Sequence, residues 1–246
     1  MILLKTKIIA HRGASKYAPE NTMPAFELAY EMKADGIETD VQMTRDGVPV
    51  LIHDETLQRT TNGHGFVKDM DWKDLEYLDA GNYFSPKFAD TRLPTLEQFL
   101  AWASDKALYI NLELKNDKVD YQDLEVKVLD LLRKFEMKNR TTISSFNPES
   151  VKRMRKLDAN LDVALLRSRK HPDLAQYAKD LGASSLHVKH TLLNRSLIEA
   201  CGNLNLPVRI YTVNSTLLIR KGLRYNCAGI ITDVPDKAIF IRNTFQ

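Results

Sequence analysis

From Lys7 to the C-terminus, short strand-like runs and amphipathic helical stretches alternate almost without interruption. "KIIAH" reads as a strand, and "MPAFELAYEMKAD" as a helix with Thr22 at its N-cap and Pro24 in its first turn. "GIETDVQMT" is strand again, "TLEQFLAWASD" helix and "ALYINLELK" strand. Residues 120–138 read as a helix with Leu124, Val128, Leu131, Leu132 and Phe135 along one face. The rhythm continues through the strands "TTISSF", "DVALLR", "SSLHVKH", "VRIYTV" and "GIITD", each followed by a helical stretch. This order favours a parallel sheet, because parallel neighbours need long crossovers and helices supply them.

One apolar run stands outside the pattern. "VPVLIH" follows Asp46–Gly47, a two-residue hairpin signal, and so short a turn cannot join parallel strands. It reads as the returning arm of a hairpin above the sheet. Setting it aside leaves eight strands, the count of a (β/α)8 TIM barrel. The 246 residues suit one such domain, spanning 1–246. Residues 54–94, with Gly63, Gly65 and Gly81 and mixed polarity, read as an insertion of little regular structure. The insertion leaves the hairpin after His53 and rejoins near Thr95, so it is expected over the rim on which barrel active sites lie.

Ionisable residues gather at that rim. The first strand ends in His11–Arg12, the second carries Glu38 and Asp40, the hairpin returns His53–Asp54, and "INLELK" carries Glu113 and Lys115. Side chains along a strand alternate faces, so Glu38 shares a face with Asp40, and Glu113 with Lys115. The flanking Ile37, Val41, Leu112 and Leu114 suit the helix-covered face. Three carboxylates in a barrel mouth repel one another and lose hydration unless paired. A hard divalent cation with oxygen ligands satisfies all three. A structural charge network with Arg12 and Lys115 is the alternative. Two histidines on the same rim tip the balance towards acid–base chemistry.

These residues, with "HRG", "PENT", "E-T-D", "TRDGVPVLIHD", "ELK", "YTVN" and "GIITD" followed by Pro, resemble the glycerophosphodiester phosphodiesterase family, in order over nearly the whole chain. The resemblance implies a catalytic barrel that hydrolyses glycerophosphodiesters, such as glycerophosphocholine, to glycerol 3-phosphate and an alcohol. It implies that His11 and His53 are the acid–base pair. Glu38, Asp40 and Glu113 would hold one divalent metal ion, Mg²⁺ or Ca²⁺, and Arg12 and Lys115 would contact phosphate. Glu20, in the "PEN" segment, would help bind the metal or hold a histidine. The insertion would shape the substrate pocket. Tyr211 departs from the Trp often found there, and His187 and Lys189 receive no role. A lysophospholipase D-like or C-like enzyme is the close rival. A barrel that binds a phosphate ligand without turnover is the more distant one, and the fold alone would also suit a carbohydrate isomerase.

Composition narrows the partners. A net charge of +3, from 35 basic and 32 acidic residues, argues against nucleic acid. No window approaches the roughly 20 apolar residues of a membrane span. "MILLKTKIIAHRG" lacks the pattern of a secretory leader. Cys201 and Cys227, without metal-ligand neighbours, read as reduced thiols and suit the cytoplasm. A small-molecule substrate is therefore expected, and nothing in the pattern specifies an oligomeric state. His64, His171, His190 and the basic "RSRKH" stretch read as surface or packing residues. Trp72, Tyr83, Phe84 and Phe88 suit either a substrate wall or packing of the insertion.

Overall fold

The computed structural model describes residues 5–245, so the start of the "MILLKTKIIAHRG" stretch, residues 1–4, lies outside it. The chain begins with β1 (Lys7–His11), α1 (Met23–Glu31), β2 (Gly36–Met43) and β3 (Pro49–Leu51). The insertion contains α2 (Trp72–Leu75), and α3 (Leu96–Ala103) returns the chain to β4 (Tyr109–Leu114). There follow α4 (Leu124–Lys134), β5 (Thr141–Ser145), α5 (Pro148–Leu157), β6 (Asp162–Arg167), α6 (Leu174–Asp180) and β7 (Ser185–Lys189). The last elements are α7 (Arg195–Asn203), β8 (Val208–Tyr211), α8 (Thr216–Arg224), β9 (Gly229–Thr232) and α9 (Pro235–Phe245).

β1 pairs in parallel with both β2 and β9, which closes the sheet into a (β/α)8 TIM barrel. One parity of each strand faces the helices. Ile8 and Ala10, Ile37 and Val41, Ile110, Leu112 and Leu114, and Leu186 and Val188 are buried in one apolar layer with Phe26, Phe99, Leu129 and Leu132. The other parity points into the barrel, where Asn111 Nδ2 donates to Ser144 Oγ across β4 and β5 at 3.0 Å.

Near the N-terminal end of the barrel this interior is polar. Arg209 Nη1 lies 3.1 Å from His187 Nε2 and its Nη2 3.4 Å from Asp162, which also accepts from the Ser184 hydroxyl at 2.7 Å. His187 is thus a packed interior residue away from the mouth, and burial, with Arg209 beside it, keeps its imidazole neutral well below the usual range. Lys189, at the end of β7, is exposed.

β3 runs antiparallel to the end of β2, with Val41 opposite Leu51 and Met43 opposite Pro49. It occupies the stretch of β2 beyond most of the β4 pairing and so stands above the barrel. The turn differs from the two-residue form expected. Thr44 N–H donates to Val48 O and Gly47 N–H to Thr44 O, leaving Arg45, Asp46 and Gly47 in a three-residue loop. Gly47 has φ +82°, the left-handed position that completes such loops.

Helix limits also differ from expectation. Thr22 precedes α1, but its hydroxyl donates to Pro19 O rather than capping the helix. α1 stops at Glu31 instead of reaching Asp35, closed by Lys33 at φ +63° and an Ala34 N–H bond to Ala29 O. α4 starts at Leu124 rather than residue 120, after Asp123 at φ +63°, and this leaves Tyr121 to donate its hydroxyl to Gln42 Oε1 at 2.6 Å.

The insertion is more organised than its composition suggests. Val67, Leu75, Ala80 and Leu57 form a separate apolar cluster with Val50, Ile52 and Leu93, and Trp72 packs against it. Phe84 meets both Tyr83 and Phe88 edge to face.

Candidate active site

β1 ends in a sharp reversal. Arg12 has φ +56° and Gly13 φ +82°, and a Cβ on Gly13 would lie 2.6 Å from the Ala25 carbonyl carbon. Only glycine lets the chain fold back against α1 there. The Arg12 N–H donates to Glu38 Oε2 at 3.0 Å, which ties the reversal to β2.

His11 therefore sits at the mouth, with Nδ1 2.6 Å from Asp233 Oδ1 and Nε2 4.0 Å from Glu38 Oε2. Asp233 is held in turn by Ser15 Oγ at 3.1 Å and Asn214 Nδ2 at 2.6 Å. Burial opposes its ionisation, yet these bonds and the one to His11 bring its pKa to about 2. The hairpin supplies the second histidine. His53 Nδ1 is 2.6 Å from Asp54 Oδ1, and Gln42 Nε2 fixes the His53 carbonyl at 3.0 Å. The two imidazoles share one plan: a carboxylate on Nδ1 orients the ring and leaves Nε2 for another group.

Glu38, Asp40 and Glu113 each place a carboxylate oxygen within 4.8 Å of the other two, as their inward parity on β2 and β4 requires. Burial, with Asp40 and Glu113 alongside, pushes the Glu38 carboxyl well above its ordinary range. Asp40 goes the other way. Burial resists its ionisation, but Arg12, His53 and Lys115, with a 2.9 Å bond from Asn21 Nδ2, hold its carboxyl below the usual range. The Asp40 Oδ1 atom is buried with no hydrogen-bond partner among the described residues.

Part of a charge network is present as well. Lys115 Nζ pairs with Glu113 at 2.7 Å, and Arg12 Nε lies 3.0 Å from Asp40 without the angle of a hydrogen bond. Yet Arg12 is shared with Glu20 at 2.7 Å, so two cations, one of them shared, do not balance the three clustered carboxylates. An orphaned carboxylate oxygen, a destabilised Glu38 anion and an oxygen-only donor set fit a hard divalent cation.

Glu20 stands outside that cluster. It bridges Arg12 and Arg59, with Arg59 Nη2 2.8 Å away, and its N–H donates to Tyr83 Oη. The sequence pattern by itself gives no role to Asp233, Asp54, Asn21 or Arg59. Asp54 adjoins a histidine, and Asp233 follows the strand that must neighbour β1 on closure, so both left a signal. Asn21 lies in "PENT" but bonds through the Thr39 hydroxyl and Asp40, which the pattern does not reveal. Arg59 lies in irregular chain, where no periodicity predicts its direction.

The sequence matches the glycerophosphoryl diester phosphodiesterase family over residues 11–237. It is 39% identical over 236 residues to a glycerophosphodiester phosphodiesterase of Caldanaerobacter subterraneus subsp. tengcongensis, covering 96% of this chain and 97% of that one. It is 38% identical to a protein of the same name from Bacillus altitudinis, covering 98% and 100%. Among solved structures, a phosphodiesterase of Oleispira antarctica in complex with the product sn-glycerol-3-phosphate superposes with TM-score 0.91 at 25% identity, over 96% of each chain. Fold, ordered motifs and these likenesses agree, and the chain belongs to the glycerophosphoryl diester phosphodiesterase family.

Proposed function

We propose that the protein hydrolyses glycerophosphodiesters to glycerol 3-phosphate and an alcohol, using a divalent cation and the histidine pair His11 and His53. The observation that carries this is the buried Glu38–Asp40–Glu113 cluster in a mouth with two histidines, each backed by an aspartate. Glu38, Asp40 and Glu113 would hold Mg²⁺ or Ca²⁺ through oxygen alone. When bound, the cation neutralises phosphate charge as it grows towards the transition state. Arg12 and Lys115 add permanent positive charge beside the same position. Lys115 stays protonated, because Glu113 and Asp40 outweigh the burial that opposes its charge.

The histidines move the protons. One accepts a proton at Nε2 from the attacking hydroxyl, and the other donates one from Nε2 to the departing alkoxide oxygen. Asp233 and Asp54 keep each Nδ1 protonated and each ring in register. Water as the attacking group gives glycerol 3-phosphate directly. The glycerol 2-hydroxyl, with the same two proton movements, gives the alcohol and a cyclic glycerol phosphate, which water then opens in a second step with the two histidine roles exchanged.

A small-molecule substrate follows, and no helix among the described residues is long and apolar enough to cross a membrane. A cytoplasmic setting is supported by Cys201 and Cys227, which are free thiols. The rival lysophospholipid substrate would need an apolar groove beside the carboxylates. A groove of about 730 Å³ between α6 and α7 shares no lining residue with the mouth. The test is a panel of phosphodiesters assayed for glycerol 3-phosphate with and without chelator. Release from glycerophosphodiesters that chelator abolishes and Mg²⁺ or Ca²⁺ restores is expected. Turnover indifferent to chelator would remove the metal from the scheme.

A further inference from the structure

We propose that Arg59, in the insertion, is a positioning residue that locks His53 and Arg12 into one geometry through two carboxylates; the inference rests on the function proposed above. Arg59 Nε donates to Asp54 Oδ2 at 2.6 Å and Nη2 to Asp54 Oδ1 at 3.2 Å. The same guanidinium donates from Nη1 to Glu20 Oε2 at 2.9 Å and from Nη2 to Glu20 Oε1 at 2.8 Å. Each carboxylate is also bound to a group of the mouth: Asp54 to His53 Nδ1 at 2.6 Å, Glu20 to Arg12 Nη1 at 2.7 Å. His53, Asp54, Arg59, Glu20 and Arg12 form one continuous chain of charged hydrogen bonds.

The arrangement depends on a planar fork. A guanidinium offers five donors in a rigid plane and meets two carboxylates edge-on at once, which a flexible ammonium cannot do. The backbone beneath it is anchored: Leu57, Thr60 and Thr61 on either side of Arg59 are buried, and the Thr61 hydroxyl donates to Leu57 O at 2.7 Å. The Arg59 side chain is 44% exposed, and an exposed ion pair adds little stability. Its effect is on orientation. Asp54 without Arg59 is free to rotate about its side-chain torsions and take the His53 ring with it. Glu20 without Arg59 can pivot and draw Arg12 away from the phosphate position. His11 has no such tie to the insertion, since Asp233 is held by the neutral Ser15 and Asn214. The insertion is thereby more than a wall of the pocket, because its folding sets the geometry of one half of the acid–base pair.

The full chain, loaded with Mg²⁺ or Ca²⁺, tests this. Steady-state kcat and KM on a glycerophosphodiester, inhibition by inorganic phosphate and the melting temperature are measured for Arg59→Ala, Arg59→Gln and Arg59→Lys. The three are repeated in an Asp54→Asn/Glu20→Gln background. Arg59→Ala and Arg59→Gln should each lower kcat about 10–100-fold, the scale of losses from misplaced supporting groups. Both should weaken phosphate inhibition and leave the melting temperature nearly unchanged. Guanidinium ion added to Arg59→Ala should restore part of kcat, and Arg59→Lys should not reach the unsubstituted rate. In the double-variant background the Arg59 substitutions should change kcat by less than about twofold, because the groups they act through are gone. Unchanged kcat and phosphate inhibition in both Arg59→Ala and Arg59→Gln would overturn the proposal, as would equal losses in the two backgrounds. Turnover by the unsubstituted chain is the control that separates such a failure from failure of the phosphodiesterase function itself.

Discussion

The Asp233 carboxylate lies 2.6 Å from His11 Nδ1, a bond made across 222 residues of sequence where the last strand of the barrel closes on the first. Asp233→Asn should cut kcat about 100-fold or more, because an amide can present its NH₂ to Nδ1 and select the wrong imidazole tautomer. The Asp233 carboxyl is depressed to about 2 in the folded chain, against roughly 3.9 unfolded. Its stabilising effect is therefore full above about pH 4 and is lost as pH falls through about 2. Urea unfolding from pH 2 to 6 should show the stability gap between wild type and Asp233→Asn vanish at the acid end.

The Glu38–Asp40–Glu113 carboxylate cluster makes a prediction that needs no turnover. Mg²⁺ or Ca²⁺ should raise the melting temperature, and Glu38→Gln, Asp40→Asn or Glu113→Gln should abolish that rise. In chelator, Glu38→Gln should melt a few degrees higher than wild type, since it removes a buried negative charge beside Asp40 and Glu113. Differential scanning fluorimetry with and without chelator checks both. A cation-dependent rise that survives in all three variants would place the ion elsewhere.

His11→Ala and His53→Ala should each lose roughly 10²–10⁴ in kcat, the usual range for a positioned acid or base. Both rings are partly exposed at the mouth and lie outside the apolar clusters, so circular dichroism should show folded chains. Wild-type turnover by either variant would remove that histidine from proton transfer.

Tyr83 and Phe84 give a sharper probe of the insertion than its removal. Cutting residues 62–90 would strip Val67, Leu75 and Ala80 from Val50, Leu57 and Leu93 and expose that cluster. Tyr83 reaches the mouth through its bond from the Glu20 N–H, and Phe84 packs on it. Tyr83→Ala and Phe84→Ala should shift KM among diesters of different alcohols and leave the cation-induced melting rise intact. Identical KM ratios across the panel would assign both residues to packing alone.

Arg209→Ala should destabilise without touching the chemistry. Its guanidinium joins His187 to Asp162 at the end of the barrel away from the mouth. Removing one partner of a largely buried polar network costs roughly 2–4 kcal/mol, less than a fully buried pair because Asp162 is partly exposed. Chemical denaturation should show that loss, while kcat per folded molecule stays near wild type.

Much of this site was legible in the chain. Alternating strands and helices, a count of eight, and the period of two along "GIETDVQMT" and "INLELK" are local properties, and they already put Glu38, Asp40 and Glu113 on one face. The hairpin was equally local, because Gly47 must take a left-handed turn and "VPVLIH" has nowhere to go but back. Closure and side-chain reach were not local. Asp233 meets His11 only because β9 lies beside β1 with Thr232 opposite Ala10. Arg59 meets Asp54 and Glu20 only because the insertion folds on its own apolar cluster, and irregular backbone carries no period from which direction can be read. The opposite fates of Glu38 and Asp40, two residues apart on one strand, were likewise set in three dimensions. Arg12, reversed by its left-handed turn, places its guanidinium beside Asp40 and only its backbone N–H on Glu38. Periodicity determines which face a side chain takes; the charge it meets there depends on chain brought in from elsewhere, and electrostatic energies turn on those few ångströms.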